Sequence, residues 1–273
     1  MILVTGHRGF IGRNLFKALQ DQGHTVYGFD AVDGDPIELA EQVPWKDIEM
    51  IYHQGAISNT TELDVLKVQR WNVQSSVQIF EKAIKHKIPV KYASSGSVYG
   101  NSMSHGNYEY NPLNYYAISK LTVDMWVKEN LSAFTAPING FRYFNVYGAD
   151  EKKSDFCTSP VYRFSEQAKK DGVIQIFSGS QNTYRDFVWV GDIINIITRN
   201  FEQSKIYDLG CGNSISFLDV AEIVSEKYGA PIKFIPFPEI IKGKYQKFSR
   251  AREEFHGYNF MQVKEFVNKY LDA

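Results

Sequence analysis

Ile2-Leu-Val-Thr-Gly6-His-Arg-Gly9-Phe-Ile-Gly12, at the start of the 273-residue chain, is the stretch that decides the fold. Ile2 to Thr5 reads as a short buried strand, because four apolar or β-branched residues follow one another without a break. Glycines at i, i+3 and i+6 come next. A helix is then expected through Asn14-Leu-Phe-Lys-Ala-Leu to about Asp21, with Gly23 as its stop. Thr25-Val-Tyr-Gly-Phe reads as a second strand that finishes on Asp30. Glycines placed between a strand and a helix let the backbone approach a pyrophosphate at the helix N-terminus. An acid closing the second strand can take the hydroxyls of an adenosine ribose. Three glycines alone could be an ordinary turn; the ordered strand, glycines, helix, strand and acid predict a nucleotide site. Its loop is Gly6, Arg8, Gly9, Phe10, Ile11 and Gly12, and its ribose anchor is Asp30.

Two residues disagree on the cofactor. Asp30 would repel a 2′-phosphate, which favours NAD. Arg8, inside the glycine loop, could grip such a phosphate with its guanidinium fork, which favours NADP; it could equally be a solvated loop charge.

Outward from this unit, Ala31 to Glu49 leaves little room for another strand-helix pair, so a trimmed sheet is expected. Met50-Ile-Tyr-His reads as a strand that delivers Gln54-Gly-Ala-Ile-Ser-Asn-Thr-Thr-Glu62. Small residues at a strand's carboxyl end suit a crevice where a ligand passes near backbone, which makes Gln54, Gly55, Ala56 and Ser58 cofactor candidates. A helix is expected around Val68 to Lys85, where Asn72 either bridges backbone groups below the cofactor or is an ordinary surface asparagine. Val90-Lys-Tyr-Ala, a further strand, delivers Ser95. The polar loop from Asn101 to Asn111, with His105, reads as a cover over the site or as an idle surface loop.

Pro112-Leu-Asn-Tyr-Tyr-Ala-Ile-Ser-Lys120 then opens an apolar-periodic run that extends to Leu131. Helical spacing stacks Tyr116 and Lys120 on one face. An ammonium beside a phenol favours its ionised form, which makes Tyr116 a candidate general acid or base. Ser95 can donate to the same substrate oxygen, and Lys120 can also hold the ribose. Further on, Asn139 to Gly148 reads as one strand carrying Asn145, a candidate for a sugar hydroxyl or phosphate or a plain turn asparagine. Arg185 could clamp a diphosphate or pair with Asp186. Ser216 is expected to cap a helix to Tyr228. Gly243-Lys-Tyr245-Gln-Lys-Phe is basic and aromatic, suited to a nucleoside diphosphate or simply a solvated face.

The glycine loop, Ser95 and Tyr116-x-x-x-Lys120 together resemble the extended short-chain dehydrogenase/reductase superfamily, over essentially the whole chain. The resemblance implies an α/β fold: a Rossmann doubly wound parallel sheet with a smaller α/β substrate-binding domain. It implies that residues 1–153 with 182–210 hold NAD(P), and that 154–181 with 211–273 bind a nucleotide-diphosphate sugar. Val146 joins the cofactor set on the same ground, and a homo-oligomer is implied as well. Within the superfamily, His53 to Glu62, Tyr92-Ala-Ser-Ser, Phe141 to Gly148, Arg185 to Asp192 and Ile235 to Gln246 are similar to the ADP-L-glycero-D-manno-heptose 6-epimerases. That likeness implies contacts to ADP-heptose from Asn145, Phe177, Ser178, Gly179, Ser180, Arg185 and Tyr245. It also implies epimerisation by transient oxidation to a ketone and re-reduction on the opposite face. A second catalytic lysine of that group falls on Ser154 in ungapped register; the neighbouring Lys153 is the candidate here. The group's histidine a little further on falls on Arg163, and lysines expected to contact NADP are missing from the trimmed segment after Asp30.

Rival activities are a UDP-hexose 4-epimerase and a GDP-4-keto-6-deoxymannose epimerase/reductase. The latter would want a cysteine beside Ser95, where Gly96 and Ser97 stand instead. A 4,6-dehydratase would want an Asp-Glu pair there. A sensor or scaffold that binds NAD(P) without turnover typically lacks the tyrosine or the lysine, both present in this chain. The totals are consistent with an enzyme acting on small molecules. Thirty basic and 31 acidic residues leave a formal charge of −1, which gives no field for nucleic acid or a membrane surface. Two cysteines, Cys157 and Cys211, are too few for a disulfide framework. No metal set, signal peptide or membrane span is read, and the expected compartment is the cytoplasm.

Overall fold

A computed structural model of the protein describes residues 1–105, 107–149, 151, 158–239 and 246–271. The chain divides into two compact units. The first comprises Met1–Val98, Asn114–Arg142 and Ile194–Tyr207, the second Tyr99–Leu113, Tyr143–Ile193 and Asp208–Ala273.

The first unit is built from β1 (Ile2–Thr5), α1 (Phe10–Asp21), β2 (Val26–Phe29), α2 (Pro36–Glu41), β3 (Met50–His53), α3 (Val65–Val68), α4 (Ser75–His86), β4 (Val90–Ser95), α5 (Tyr115–Glu129) and β5 (Ile138–Tyr143). With β9 (Lys205–Leu209) the strands form one six-stranded sheet in the order β2-β1-β3-β4-β5-β9. β1 pairs in parallel with β2 and β3, and β3 with β4. This is the expected mostly parallel α/β architecture. No strand forms between β2 and β3, which leaves β2 at the sheet edge. The intervening residues instead make α2, capped by the Asp35 side chain and started by Pro36, followed by a turn whose Trp45 indole donates to the Ala40 carbonyl at 2.9 Å. Ala40, Val43, Trp45 and Ile48 are buried in the core shared by Leu3, Ile51, Phe80 and Val90.

The helix before β4 departs from expectation. It starts at Val65, and between α3 and α4 it widens into a π turn over Gln69–Gln74. Such turns carry one extra residue per turn and recur at functional sites. Here the turn holds Trp71 and Asn72.

Behind the start of α5 lies a buried ion pair. Asp124 is fully buried and accepts from the Arg142 guanidinium at 2.8 Å and from the Tyr92 hydroxyl at 3.0 Å. Asn114 caps α5 by accepting from the Ala117 N–H at 2.9 Å.

In the second unit, β6 (Asn145–Tyr147) lies beside β8 (Tyr184–Trp189), which also pairs with β10 (Ser214–Ser216). β7 (Ile174–Phe177) pairs with β11 (Ile232–Ile235). α6 (Pro160–Asp171), α8 (Phe217–Tyr228) and α9 (Val263–Tyr270) cover these strands, and α7 (Val190–Ile197) follows β8. Val161, Phe164, Ile174, Phe187, Val220 and Phe266 share their core. The single strand expected over Asn139 to Gly148 is two strands in two different sheets, separated at Phe144. Nearly every residue there is buried on both sides, so the pattern carries no mark of the break. Ser216 caps α8 as expected, in a reciprocal box with Asp219. Among the described residues no helix is long and apolar enough to cross a membrane.

Removing one member of a buried ion pair strands the other. Asp124→Ala is therefore expected to destabilise the protein by about 3–5 kcal/mol in urea unfolding. A loss below about 1 kcal/mol would mean that this carboxylate is not what compensates the buried guanidinium.

Candidate active site

The glycine loop turns between β1 and α1 because two of its positions admit no side chain. Gly6 has φ +67°, and a Cβ there would come within 2.6 Å of the Gly55 backbone. A Cβ on Gly12 would collide with the Gly6 carbonyl. Gly9 is different: the nearest atom to its Cβ position is the Gly6 oxygen at 3.2 Å, so its outer side is open to an approaching ligand. α1 begins there with no side-chain cap and no acid in its first turn. The positive end of the helix is thus left for an anion. The Phe10 ring is buried, so that residue can offer a ligand only its backbone; Ile11 is half-buried beside it.

A cleft of about 290 Å³ opens beside this loop. Gly6, Arg8 and Gly9 line it with Asp30 and the stretch Gln54, Gly55 and Ala56, while Val32, Ile57 and Trp71 supply apolar walls. Asp30 accepts from the Arg8 N–H at 3.1 Å and the Val32 N–H at 3.3 Å, which fixes its carboxylate at the end of β2. These features suit a dinucleotide: a bare backbone cradle, a helix N-terminus, a carboxylate for the ribose and an apolar slot. Ser58 is exposed and does not line the cleft.

Asn72 is a bridge, not a surface residue. It accepts from the Ile57 N–H at 2.7 Å and donates to the Ile57 carbonyl at 3.0 Å and to the Ser119 hydroxyl at 2.9 Å. Ser119 in turn donates to the Tyr116 carbonyl at 2.7 Å. A second chain lies beneath. His53 bonds Thr5 Oγ1 at 2.7 Å and Ser76 Oγ at 2.8 Å, and Thr5 Oγ1 accepts the Gly55 N–H at 3.2 Å. Burial, and then the charge of Lys120, hold the His53 pKa down to about 3, so the ring is neutral at working pH. Sequence reasoning missed Thr5, His53, Ser76 and Ser119, whose partners lie far away in the chain.

Ser95 ends β4, and Lys120 reaches back to that strand: its ammonium donates to the Ala93 carbonyl at 2.8 Å. The same ammonium lies 6.0 Å from the centre of the Tyr116 ring. Ser95, Tyr116 and Lys120 are therefore gathered where β4 meets the first turns of α5. Ser95 Oγ accepts from the Ser97 N–H at 3.2 Å and lies 2.9 Å from the Ser97 hydroxyl. Lys120 is only 5% exposed. Burial pushes its pKa down to about 8, against the opposing pull of Asp124.

In the second unit, Asn145 and Val146 start β6, both half-buried. Phe177 ends β7; the Ser178 N–H donates to the Ile235 carbonyl at 2.8 Å, Gly179 turns at φ +92°, and Ser180 is buried. Arg163 lies over the Phe177 ring at 5.8 Å. Arg185 is buried, donates to the Tyr184 carbonyl at 2.9 Å and packs over Phe217. It does not pair with Asp186, whose carboxylate accepts the N–H groups of Cys211, Gly212 and Ala251. Neighbours in a strand point to opposite faces, which separates the two. Glu151, also missed, accepts from Gly148 N–H at 3.1 Å and Ser159 N–H at 2.9 Å. Lys153, Ser154 and Tyr245 lie outside the described residues, as does the His105 side chain. Among the described residues no cluster of three metal-ligating side chains occurs.

A model of the NAD dependent epimerase/dehydratase family matches residues 2–210. The chain belongs to that family. Membership makes it a nicotinamide-dependent enzyme acting on nucleotide sugars. The structure of ADP-L-glycero-D-manno-heptose-6-epimerase from Helicobacter pylori is 25% identical, covering 98% of this chain and 94% of that one, with a TM-score of 0.79. An NAD-dependent NDP-hexosamine 5,6-dehydratase, TunA, is 23% identical over 99% and 96% at TM-score 0.85. The UDP-glucose 4-epimerase of Thermus thermophilus, in complex with NAD, is 21% identical over 98% and 97% at 0.79. The last two show the fold.

Lys120 gives this family member a distinctive pH response. Its folded pKa of about 8 lies below the ordinary 10.5. Between those values the unfolded chain holds a proton that the folded chain has released, so stability rises with pH; below pH 8 both states hold it and the penalty is constant. Urea unfolding of the wild type should therefore steepen upward from pH 8 to 10 relative to Lys120→Met, by at most about 1.4 kcal/mol per pH unit. Parallel profiles would contradict the depressed ammonium. Lys91, also held down to about 8 by burial, is common to both proteins and cancels.

Proposed function

We propose that the chain is a nucleotide-sugar epimerase that works by transient oxidation at the epimerised carbon, with ADP-glycero-manno-heptose as its substrate. The observation that carries the reaction type is the Lys120 ammonium fixed on the Ala93 carbonyl, 6.0 Å from the Tyr116 ring and two residues before Ser95. A positive charge held there favours the phenolate. Tyr116 then takes the proton of the sugar hydroxyl as the ketone forms and returns it when the alcohol is restored. Ser95 donates to the same oxygen. When bound, the nicotinamide supplies a reversible hydride acceptor. Gly6, Gly9 and Gly12 shape the pyrophosphate cradle, and Asp30 takes the ribose. Arg185 and Asn145 bind the nucleotide diphosphate and sugar, with Phe177 to Ser180 and Tyr245 beside them; Lys153 is the second acid or base.

Epimerisation is favoured over loss of water because Ser95 is followed by Gly96 and Ser97. The Ser97 hydroxyl bonds Ser95 itself, and neither residue that follows the serine offers a carboxylate to drive elimination. The heptose assignment is supported by the sequence stretches quoted above, notably Ile235 to Gln246, and by the Helicobacter pylori structure.

The test is incubation of the purified protein with ADP-D-glycero-β-D-manno-heptose and no added cofactor, followed by separation of the C6 epimers. Conversion is expected, slowed about 10²–10⁴-fold in Tyr116→Phe. No conversion with NAD or NADP added would remove the heptose reading and send the search to UDP-hexoses.

A further inference from the structure

At the outer end of the cleft, charged and backbone groups of three residues, Arg8, Asp30 and Asp33, form a closed set. Arg8 Nη2 lies 2.6 Å from Asp33 Oδ1 in an ion pair. The other Asp33 oxygen accepts the Asp30 N–H at 3.2 Å. Asp30 completes the circle by accepting the Arg8 N–H at 3.1 Å. The turn itself is closed by the Asp33 N–H donating to the Asp30 carbonyl at 2.9 Å. Arg8 is the cation of this loop, and it is the group that a 2′-phosphate on the adenosine ribose would seek.

We infer that Asp33 sets the preference of this cleft for NAD over NADP by occupying Arg8. The inference rests on the dinucleotide reading of the cleft. A 2′-phosphate arriving beside Asp30 would have to displace Asp33 from the guanidinium and then sit next to two carboxylates. Asp30 alone would oppose it only by charge. Asp33 adds a second effect, since it removes the compensating cation from use. NAD asks for neither change, because the ribose hydroxyls need only the Asp30 carboxylate, and the Asp33 side chain holds that residue's backbone in place. The Arg8 side chain is more than half exposed and that of Asp33 about a quarter exposed. The pair by itself is therefore worth little to folding. Its consequence lies in selectivity.

Asp33→Asn separates the two roles. The amide oxygen can still accept the Asp30 N–H, but the charge that holds Arg8 is gone. Isothermal titration of the full chain, stripped of nucleotide, with NAD⁺ and with NADP⁺ gives the ratio of their dissociation constants. In the wild type the ratio favours NAD⁺. In Asp33→Asn it should move towards NADP⁺ by about five- to tenfold at low ionic strength, with the shift shrinking in salt. Measured against Arg8→Ala alone, the same substitution should give a clearly smaller shift, because only the relief of charge repulsion from Asp33 is left once the guanidinium is gone. An unchanged ratio in Asp33→Asn with NAD⁺ binding intact overturns the inference and leaves the cleft reading standing. A shift of undiminished size in the Arg8→Ala background also overturns it. Failure of the wild type to bind either dinucleotide overturns the cleft reading and this inference with it.

Discussion

The bond from the Lys120 ammonium to the Ala93 carbonyl is the constraint on which the site depends. A charge almost wholly removed from water needs fixed partners. The carbonyl supplies one, and Asp124, one turn further along α5, supplies an opposing charge. Asp124 is in turn shared with Arg142 and Tyr92. Holding the Lys120 and Arg142 cations in the interior around Asp124 is costly. The Lys120 ammonium lies 6.0 Å from the centre of the Tyr116 ring, and a positive charge beside a phenol favours its ionised form. In the proposed reaction the cost to folding and the activation of the tyrosine would have the same origin.

The neutral His53 fits the same logic. A second cation beside Lys120 would compound the cost, and burial together with Lys120 keeps the ring uncharged. Both ring nitrogens are then spent on hydroxyls. His53 ties β1 to the helix that follows β3, as Asn72 ties the segment after β3 to α5. The polar groups under the cleft form a scaffold for the backbone positions that a ligand would meet, which leaves acid-base chemistry to Tyr116 in the proposed reaction.

Much of this was legible in the sequence where the chemistry is local. The glycine spacing, the acid at the end of β2 and the four-residue step from Tyr116 to Lys120 each lie within one turn or one strand-helix unit. The missing strand could be anticipated from chain length alone. What escaped reading was non-local or masked by uniform burial. The Thr5–His53 and Asn72–Ser119 bonds span 48 and 47 positions, and serine or histidine in an apolar run gives no sign of its partner. The division of Ile138 to Tyr147 between two sheets left no trace in a run that is almost continuously buried. Asp33 and Glu151 lie in loops, where nothing in the sequence marks their partners.

The π turn over Gln69–Gln74 has a meaning for how the chain can change. It holds one residue more than an α turn would, and the Ser75 and Ser76 hydroxyls, just after it, donate to the carbonyls of Trp71 and Asn72 within it. Loss of a single residue here would leave a more regular helix with better backbone bonding. It would also rotate everything before it by about 100° about the axis, carrying Trp71 away from the cleft wall or Asn72 away from Ile57. In length variation, then, the most regular form of this helix is the one that the site excludes.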